Sequence, residues 1–369
     1  MKATEPPVSD AAGTASAQLA FSGAKPVDPR LRFDEAALSA WMSAHVPGFE
    51  GPLEVSQFKG GQSNPTYLLA TPGRRYVLRR KPPGVLLPSA HAVDREFRVI
   101  SALHRQGFPV ARPWALCEDP SVIGTAFYVM DMVEGRVLWD LSLPGMSPDE
   151  RRAIYEAQID TLAALHRIDP EAAGLGDYGK AGNYFARQVG RWTRQYQASE
   201  TRPVPAMDRL IAWLPQRLPP DAPTRVVHGD FRLDNLILRP DRAEVAAVLD
   251  WELSTLGDPL ADISYFLIAW VIPASERNGL AGLDLPALGI PSMEEAAARY
   301  CAQAGRPPLE DLDWLLAYNL FRLAAICQGI GGRVRDGTAA SPHAAAMAAR
   351  VEPLAEAAWG FALRAGAPA

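Results

Sequence analysis

The chain has 369 residues, 48% of them apolar and 21% charged, and its 37 Lys and Arg against 42 Asp and Glu leave a formal net charge of -5. Such a composition can bury a substantial core, which excludes a mainly disordered protein, and the length suits two domains or one large bilobal one. The slightly acidic balance gives polyanions no general attraction, so nothing global points to nucleic-acid binding.

Cys117, Cys301 and Cys327 show neither CxxC spacing nor a paired framework. That fits a reducing compartment and excludes a common zinc module. The opening MKATEPPVSDAAG has no apolar core of the secretory kind, and the longest nearly apolar run, 263–273, is too short to span a bilayer. These features predict a soluble cytoplasmic protein with no membrane partner; they say nothing of oligomeric state.

Residues 1–30 are rich in Ala, Pro, Ser and Gly without apolar periodicity and read as a flexible tail. Leu38, Trp41 and Met42 recur at helical spacing and predict a helix over 34–45, ended by Pro47 and Gly48. Strand-like runs follow at 53–59, 66–70, 75–80 and 126–131, interrupted by one helix over 90–106 whose inward stripe is Val93, Phe97, Ile100 and Leu103. Beyond Gly135 the periodicity is mostly helical, over 148–167, 184–196, 207–217, 259–272, 293–304, 310–329 and a final alanine-rich segment. The pattern predicts an α+β, bilobal chain: a small strand-rich lobe over 31–133 and a larger helical lobe over 134–369, with a cleft at the joint. There is no internal repeat, heptad series or Walker P-loop.

The chemistry is concentrated in Val226-Val227-His228-Gly229-Asp230-Phe231-Arg232-Leu233-Asp234-Asn235-Leu236-Ile237-Leu238, followed by Val248-Leu249-Asp250-Trp251-Glu252. An acid, an amide five residues later and a second acid beyond a short hairpin match the order of a kinase catalytic loop and its metal-binding aspartate. Phosphoryl transfer needs Mg²⁺ against the nucleotide phosphates, and a hard cation takes oxygen ligands, so Asn235 and Asp250 suit the metal. Asp230 then accepts the proton of the attacking hydroxyl or orients it. The turn Arg239-Pro240-Asp241-Arg242 would fold the two ligands back toward each other. Read singly, His228, Asp230 and Asp250 could each merely brace a loop. Arg232 could neutralise charge on the transferring group or simply pair with Asp234.

His228-Gly229-Asp230 through Asn235, Leu249-Asp250-Trp251-Glu252, and Gly257-Asp258-Pro259 with Asp262 resemble the aminoglycoside phosphotransferase and choline kinase branch of the protein-kinase-like fold. More closely, GGQSNPTYLL, YVLRRKPPG, LPSAHAVDREFRV, HGDFRLDN and FRLAAICQGI resemble the kinase-like domain fused to acyl-CoA dehydrogenases in some proteins. The resemblance covers nearly the whole chain after residue 30.

It implies an ATP-dependent transfer to a hydroxyl, with GTP an open alternative as donor and Mg²⁺ as cofactor. Gly60, Gly61, Gln62, Ser63 and Asn64 fall where the family's phosphate-covering loop belongs, although a plain glycine hairpin would read the same. Val77 and Arg79, on one strand face, correspond to the adenine-facing residue and the phosphate-binding cation, here arginine instead of lysine. Arg80 and Lys81 are rival cations. Glu96, on the inward helix stripe, is expected to pair with Arg79. Met130, Asp131 and Val133 fall at the hinge, where adenine would meet backbone groups. His228, Asp258 and Asp262 are expected to be internal supports, and His166 a satisfied core histidine. The acceptor is written less plainly: Arg322, Arg333 and Arg335 would suit an anion such as a CoA thioester or could be solvated. The fused dehydrogenases point to a hydroxyacyl-CoA or hydroxy acid. An aminoglycoside- or choline-type kinase and a non-catalytic nucleotide-binding scaffold remain the alternatives.

Overall fold

Alternation along the strand 75–80 organises the first part of the molecule, because Tyr76, Leu78 and Arg80 point one way and Val77 and Arg79 the other. The structure, a computed structural model, describes residues 23–59, 64–84, 91–276, 278–338 and 343–368. In chain order it contains β1 (Ala24–Lys25), α1 (Glu35–His45), β2 (Glu54–Phe58), β3 (Thr66–Ala70), β4 (Arg75–Arg80), α2 (Val93–Arg105), β5 (Pro113–Cys117), β6 (Phe127–Asp131) and α3 (Pro148–Arg167). There follow α4 (Tyr184–Ser199), α5 (Pro205–Trp213), β7 (Arg225–Val227), β8 (Leu236–Leu238), β9 (Val245–Val248), β10 (Thr255–Gly257) and α6 (Leu260–Leu267). The last elements are α7 (Leu285–Leu288), α8 (Met293–Ala304), α9 (Leu312–Arg335), α10 (Ala344–Ala349) and α11 (Val351–Arg364).

The chain divides into two compact units. One contains residues up to Gln158 together with Arg232–Ser254, the other Ile159–Phe231 together with everything from Thr255 onward.

In the first unit an antiparallel sheet runs in the order β1-β2-β3-β4-β6-β5. Its register brings Leu69 opposite Tyr76, Tyr67 opposite Leu78, and Leu78 opposite Val129. One face therefore presents Tyr67, Leu69, Tyr76, Leu78, Phe127 and Val129 to a core shared with Leu38 and Met42 of α1. Asp34 starts α1 by accepting the Ala37 N–H at 2.9 Å. The other sheet face carries Val77 opposite Met130 and Arg79 opposite Tyr128. Phe97 of α2 approaches the Tyr128 ring at 5.9 Å on this side. The same unit includes the antiparallel hairpin β8-β9.

In the second unit α9 is the central element, with Leu315, Leu316, Ala317, Leu320, Phe321, Ala324 and Ala325 all at most 1% exposed. A helix apolar around its whole girth must be enclosed, and α4, α6, α10 and α11 pack against it. α8 opens with a capping box between Ser292 and Glu295. The ribbon β7-β10 pairs Val227 with Thr255 and so sets the loop after β7 beside the start of α6.

Two expectations change. Part of the segment read as a tail is bonded to the sheet: β1 pairs with β2, Asp28 N–H donates to Gln57 at 3.0 Å, and the Leu31 carbonyl accepts from Tyr67 at 2.9 Å and Arg80 at 2.8 Å. Residues 1–22 lie outside the described residues. β5 had no strand signature, since Pro-Trp-Ala-Leu-Cys does not alternate and begins on a residue without an N–H; its register shift between Pro113 and Ala115 reflects this.

Gly135 approaches the hairpin closely, and a Cβ there would collide with the Leu238 carbonyl oxygen and the Ile237 Cγ2. Gly135→Ala should destabilise the protein by about 1–3 kcal/mol through overpacking. Thermal unfolding should then show a midpoint at least ~2 °C lower, and an unchanged midpoint would contradict this contact.

Candidate active site

The loop after β7 is fixed by its backbone before any side chain acts. Gly229 has φ 84, a left-handed conformation that glycine adopts without penalty. Asp262 on α6, 1% exposed, accepts the N–H groups of His228 at 2.5 Å and Gly229 at 2.8 Å, and lies 3.3 Å from His166 Nε2. Burial opposes the Asp262 charge, but His166, His228 and the Gly229 N–H outweigh it and hold the carboxyl below its ordinary value. His166 also meets the Tyr300 hydroxyl at 2.7 Å, as expected of a satisfied core histidine. Asp258 accepts from Leu260 N–H at 2.8 Å and Ala222 N–H at 3.3 Å.

Asp230 N–H donates to His228 Nδ1 at 3.2 Å, so that nitrogen is an acceptor and the neutral ring carries its proton on Nε2. His228 is completely buried and braces the loop, as the sequence suggested. Asp230 itself is half-buried, and its Oδ1 accepts from the Tyr265 hydroxyl at 2.6 Å. Arg322 donates to the Gly229 carbonyl at 2.5 Å and places its guanidinium 5.1 Å from the Tyr265 ring centre. Burial works against the Arg322 cation, yet Tyr318, Tyr265, Tyr184 and Asp230 together raise its pKa.

Within the first unit, Asn235 ends a 3₁₀ turn over Leu233–Asn235, and its carbonyl accepts the Leu249 N–H at 2.8 Å. The β8-β9 register, with Leu236 opposite Val248, therefore brings Asn235 alongside the start of the Asp250 segment. The fold-back expected from the turn at 239–242 is present. Asp250 has φ 63, a left-handed conformation that aspartate tolerates better than most residues and that recurs at functional positions. Trp251 anchors the next residue, 1% exposed, with Nε1 donating to the Val248 carbonyl at 3.0 Å. Arg232 lies 3.3 Å from Asp234, the ion pair that was one of its two readings.

The expected pair between Arg79 and Glu96 is present, with Nε to Oε2 at 2.7 Å. The same guanidinium reaches Asp250 Oδ1 at 3.0 Å and Glu252 at 3.5 Å. Burial opposes the Arg79 cation, but Glu96, Tyr128, Asp250 and Glu252 outweigh it and push its pKa up. Burial likewise pushes the Glu96 carboxyl up, with Arg79 opposing. Glu96 also accepts from Asn64 Nδ2 at 2.9 Å and Tyr128 at 3.1 Å. Of the rival cations, Arg80 is turned to the opposite face and bonded to the Ile123 and Leu31 carbonyls, while Lys81 lies 3.7 Å from Asp94.

Three carboxylates around one guanidinium leave a formal excess of two negative charges, which a divalent cation would offset. Asp250 and the adjacent Asn235 offer oxygen donors only, so the residues fit Mg²⁺. Asn64, read as part of the phosphate loop, is completely buried and turned to Glu96 and to His91 Nδ1 at 2.9 Å. Gly60, Gly61, Gln62 and Ser63 lie outside the described residues.

Val77 and Met130 are cross-strand partners on the Arg79 face. Asp131 N–H donates to the Arg112 carbonyl at 2.9 Å, and its carboxylate accepts from Trp114 Nε1 at 2.8 Å, so a base could use only the Asp131 carbonyl. The Val133 backbone makes no hydrogen bond among the described residues. Tyr265, Tyr128 and Glu252 were not singled out from sequence. Tyr265 was legible in principle, since it stands three residues after Asp262 and so shares its helix face. Of the arginines read either as an anion-binding set or as solvated charges, Arg322 is 7% exposed and turned inward, and Arg335 pairs with Asp336 at 2.8 Å.

Residues 54–315 match the phosphotransferase enzyme family, APH. The chain belongs to this family. Among APH relatives, acyl-CoA dehydrogenase family member 10 of Mus musculus is 46% identical over 351 residues, covering 94% of this chain and 33% of that protein. Acyl-CoA dehydrogenase family member 11 of Rattus norvegicus is 45% identical, covering 89% of this chain and 43% of its own. The chain thus spans less than half of these relatives. A crystal structure from Ralstonia eutropha JMP134, provisionally described as an aminoglycoside phosphotransferase, is 53% identical with a TM-score of 0.85, covering 90% of this chain and 99% of that one. Choline kinase from Cryptosporidium parvum, 11% identical with a TM-score of 0.63 over 90% of this chain and 97% of that one, shares the kinase-like fold. So does spectinomycin phosphotransferase in complex with ADP and spectinomycin, 10% identical with a TM-score of 0.59 over 91% of this chain and 99% of its own. No helix among the described residues is long and apolar enough to cross a membrane.

Asp262→Asn would replace a carboxylate that receives two backbone N–H groups, and should cost about 1–3 kcal/mol. A carboxyl held low in the folded state lends stability that is present above its unfolded pKa and lost as pH falls through the folded one. The wild type should therefore lose this contribution below about pH 4, whereas Asp262→Asn should lack that part of the acid dependence. Urea midpoints across this range check it; parallel pH profiles would contradict the assignment.

Proposed function

We propose that the protein transfers the γ-phosphoryl group of ATP to a hydroxyl of a small molecule, with a hydroxylated acyl-CoA or related hydroxy acid as acceptor. The observation that carries the donor half is the constellation around Arg79. One buried guanidinium is tied to Glu96 on α2 and to Asp250, and Asn235 is held beside the Asp250 segment by the hairpin. Arg79 would meet phosphate oxygens, and Val77, Met130, the Asp131 carbonyl and the Val133 backbone would border the adenine. Asn235 and Asp250 would hold Mg²⁺, which supplies charge neutralisation at the phosphates when bound.

Asp230, five residues before Asn235 in the same loop, takes the role of base. The acceptor oxygen forms its bond to the γ-phosphorus while the bond to the β,γ-bridging oxygen breaks, and that electron pair stays on the nucleoside diphosphate. The hydroxyl proton passes to Asp230. Arg232 balances Asp234 and is available to the transferring group if that pair opens. Asn64 acts by positioning Glu96, and the phosphate-covering role falls to Gly60, Gly61, Gln62 and Ser63.

The acceptor class is supported by the relatives that carry the name of acyl-CoA dehydrogenases, since a chain matching a third to two-fifths of such proteins would share their acyl substrates. An amino-sugar acceptor is the second reading, favoured by the 53% identity to the Ralstonia eutropha protein. Incubation with MgATP and a panel of hydroxyacyl-CoAs, hydroxy acids, amino sugars and choline, followed by mass spectrometry of the phosphoester, separates them. Turnover of a hydroxyacyl-CoA or hydroxy acid is expected; turnover of an amino sugar alone would sink the preferred acceptor.

With any acceptor that is turned over, Asp230→Asn should lower the rate by about 10²–10⁴-fold with nucleotide affinity nearly unchanged. Asp250→Ala should weaken nucleotide binding in the presence of Mg²⁺ and have little effect with EDTA. Calorimetric titration with ATP reads both, and an Asp230→Asn enzyme of full activity would remove the base assignment.

A further inference from the structure

The second unit contains a feature that the role of Asp230 does not by itself require: the Tyr265 hydroxyl is 2.6 Å from Asp230 Oδ1. A phenol at that distance from a carboxylate makes a short, charge-assisted bond, stronger than one between neutral groups. Tyr265 shares its helix with Asp262, which holds the His228 and Gly229 N–H groups. One face of α6 therefore fixes both the backbone of this loop and the side chain at its tip. Tyr265 is itself held: the Arg322 guanidinium lies 5.1 Å from its ring centre while donating to the Gly229 carbonyl at 2.5 Å. Arg322 in turn sits 5.7 Å from the Trp192 ring centre, 7% exposed, on the enclosed helix α9.

We propose that Tyr265 is the positioning residue of the phosphotransfer site, holding Asp230 by Oδ1 in the orientation in which its carboxylate meets the acceptor hydroxyl. The inference rests on the reading of Asp230 as base and adds to it what keeps that carboxylate aimed. A carboxylate has two equivalent oxygens and a soft terminal torsion, so without a fixed partner it would sample orientations unproductive for proton transfer. Tyr265 does not touch the acceptor in this account. Arg322 buttresses the ring and the Gly229 peptide together, so the loop and its orienting phenol move as one body.

The test is Tyr265→Phe, which deletes one oxygen and leaves the ring under Arg322. ADP formation from MgATP, measured with water alone and with the pooled acceptor panel, should fall by about 10-fold to 100-fold, the factor associated with a hydrogen bond to a charged group. The Kd for MgATP should be that of the wild type. In an Asp230→Asn background the same substitution should cause no further loss, because its effect passes through the carboxylate. Independently of turnover, crystal structures of the two proteins should show Asp230 in one rotamer in the wild type and displaced or split in Tyr265→Phe. An unmoved Asp230, a wild-type rate in Tyr265→Phe, or an equal fold-loss in the Asp230→Asn background would each overturn the proposal. An Asp230→Asn enzyme with full activity would instead refute the base reading on which it stands.

Discussion

The first unit is organised around one buried cation. Arg79 has three carboxylates within 3.5 Å, those of Glu96, Asp250 and Glu252, and each belongs to a different constraint. Glu96 ties the strand to α2, Asp250 ties it to the end of the β8-β9 hairpin, and Glu252 follows on the same turn. Burying such a group costs several kcal/mol unless it is paired and hydrogen-bonded, and removing one partner of such a set is expected to be far more damaging than replacing the set. Arginine suits the position because its fork can address two carboxylates at once, which a lysine ammonium would do with less directional control. The excess negative charge around it favours a further cation.

The catalytic loop is organised on a different principle, through backbone donors. Asp262 does not face a ligand; it collects two peptide N–H groups and a histidine, and so converts a glycine turn into a rigid support. Tyr265, at helical spacing from it, donates to Asp230 Oδ1. Burial separates these residues: His228 and Asp262 are sealed in, while Asp230 is left half-buried.

Much of this was legible in residue order. The acid-amide-acid series stood out because Asp230, Asn235 and Asp250 have a chemical reason to occur together, and the strand alternation from Tyr76 to Arg80 put Val77 and Arg79 on one face, which the structure pairs with Met130 and Tyr128. Glu96 was found by the same reasoning, since a carboxylate on an apolar helix stripe demands a partner. What failed was reasoning about charges without neighbours. Arg322 looked like an exposed cation because three arginines cluster near its helix end, yet only the packing of α9 shows that it is enclosed and bonded to a carbonyl 93 residues away. Asn64 was assigned to the phosphates by proximity to Gly60 and Gly61, but an amide can donate and accept at once, and it bridges Glu96 and His91. Residues 24–31 lacked periodicity, and their attachment runs through long-range backbone and side-chain bonds that no local pattern encodes.

Neither compact unit is a continuous stretch of polypeptide. The chain leaves the first unit after Gln158, returns for Arg232–Ser254 and departs again, so the segment bearing Asn235 and Asp250 arrives more than seventy residues after that departure. During synthesis Arg79 and Glu96 are made before Asp250 has emerged. A truncation that ends near residue 158 would strand the guanidinium with two of its counter-charges missing. The two units are therefore interleaved along the sequence.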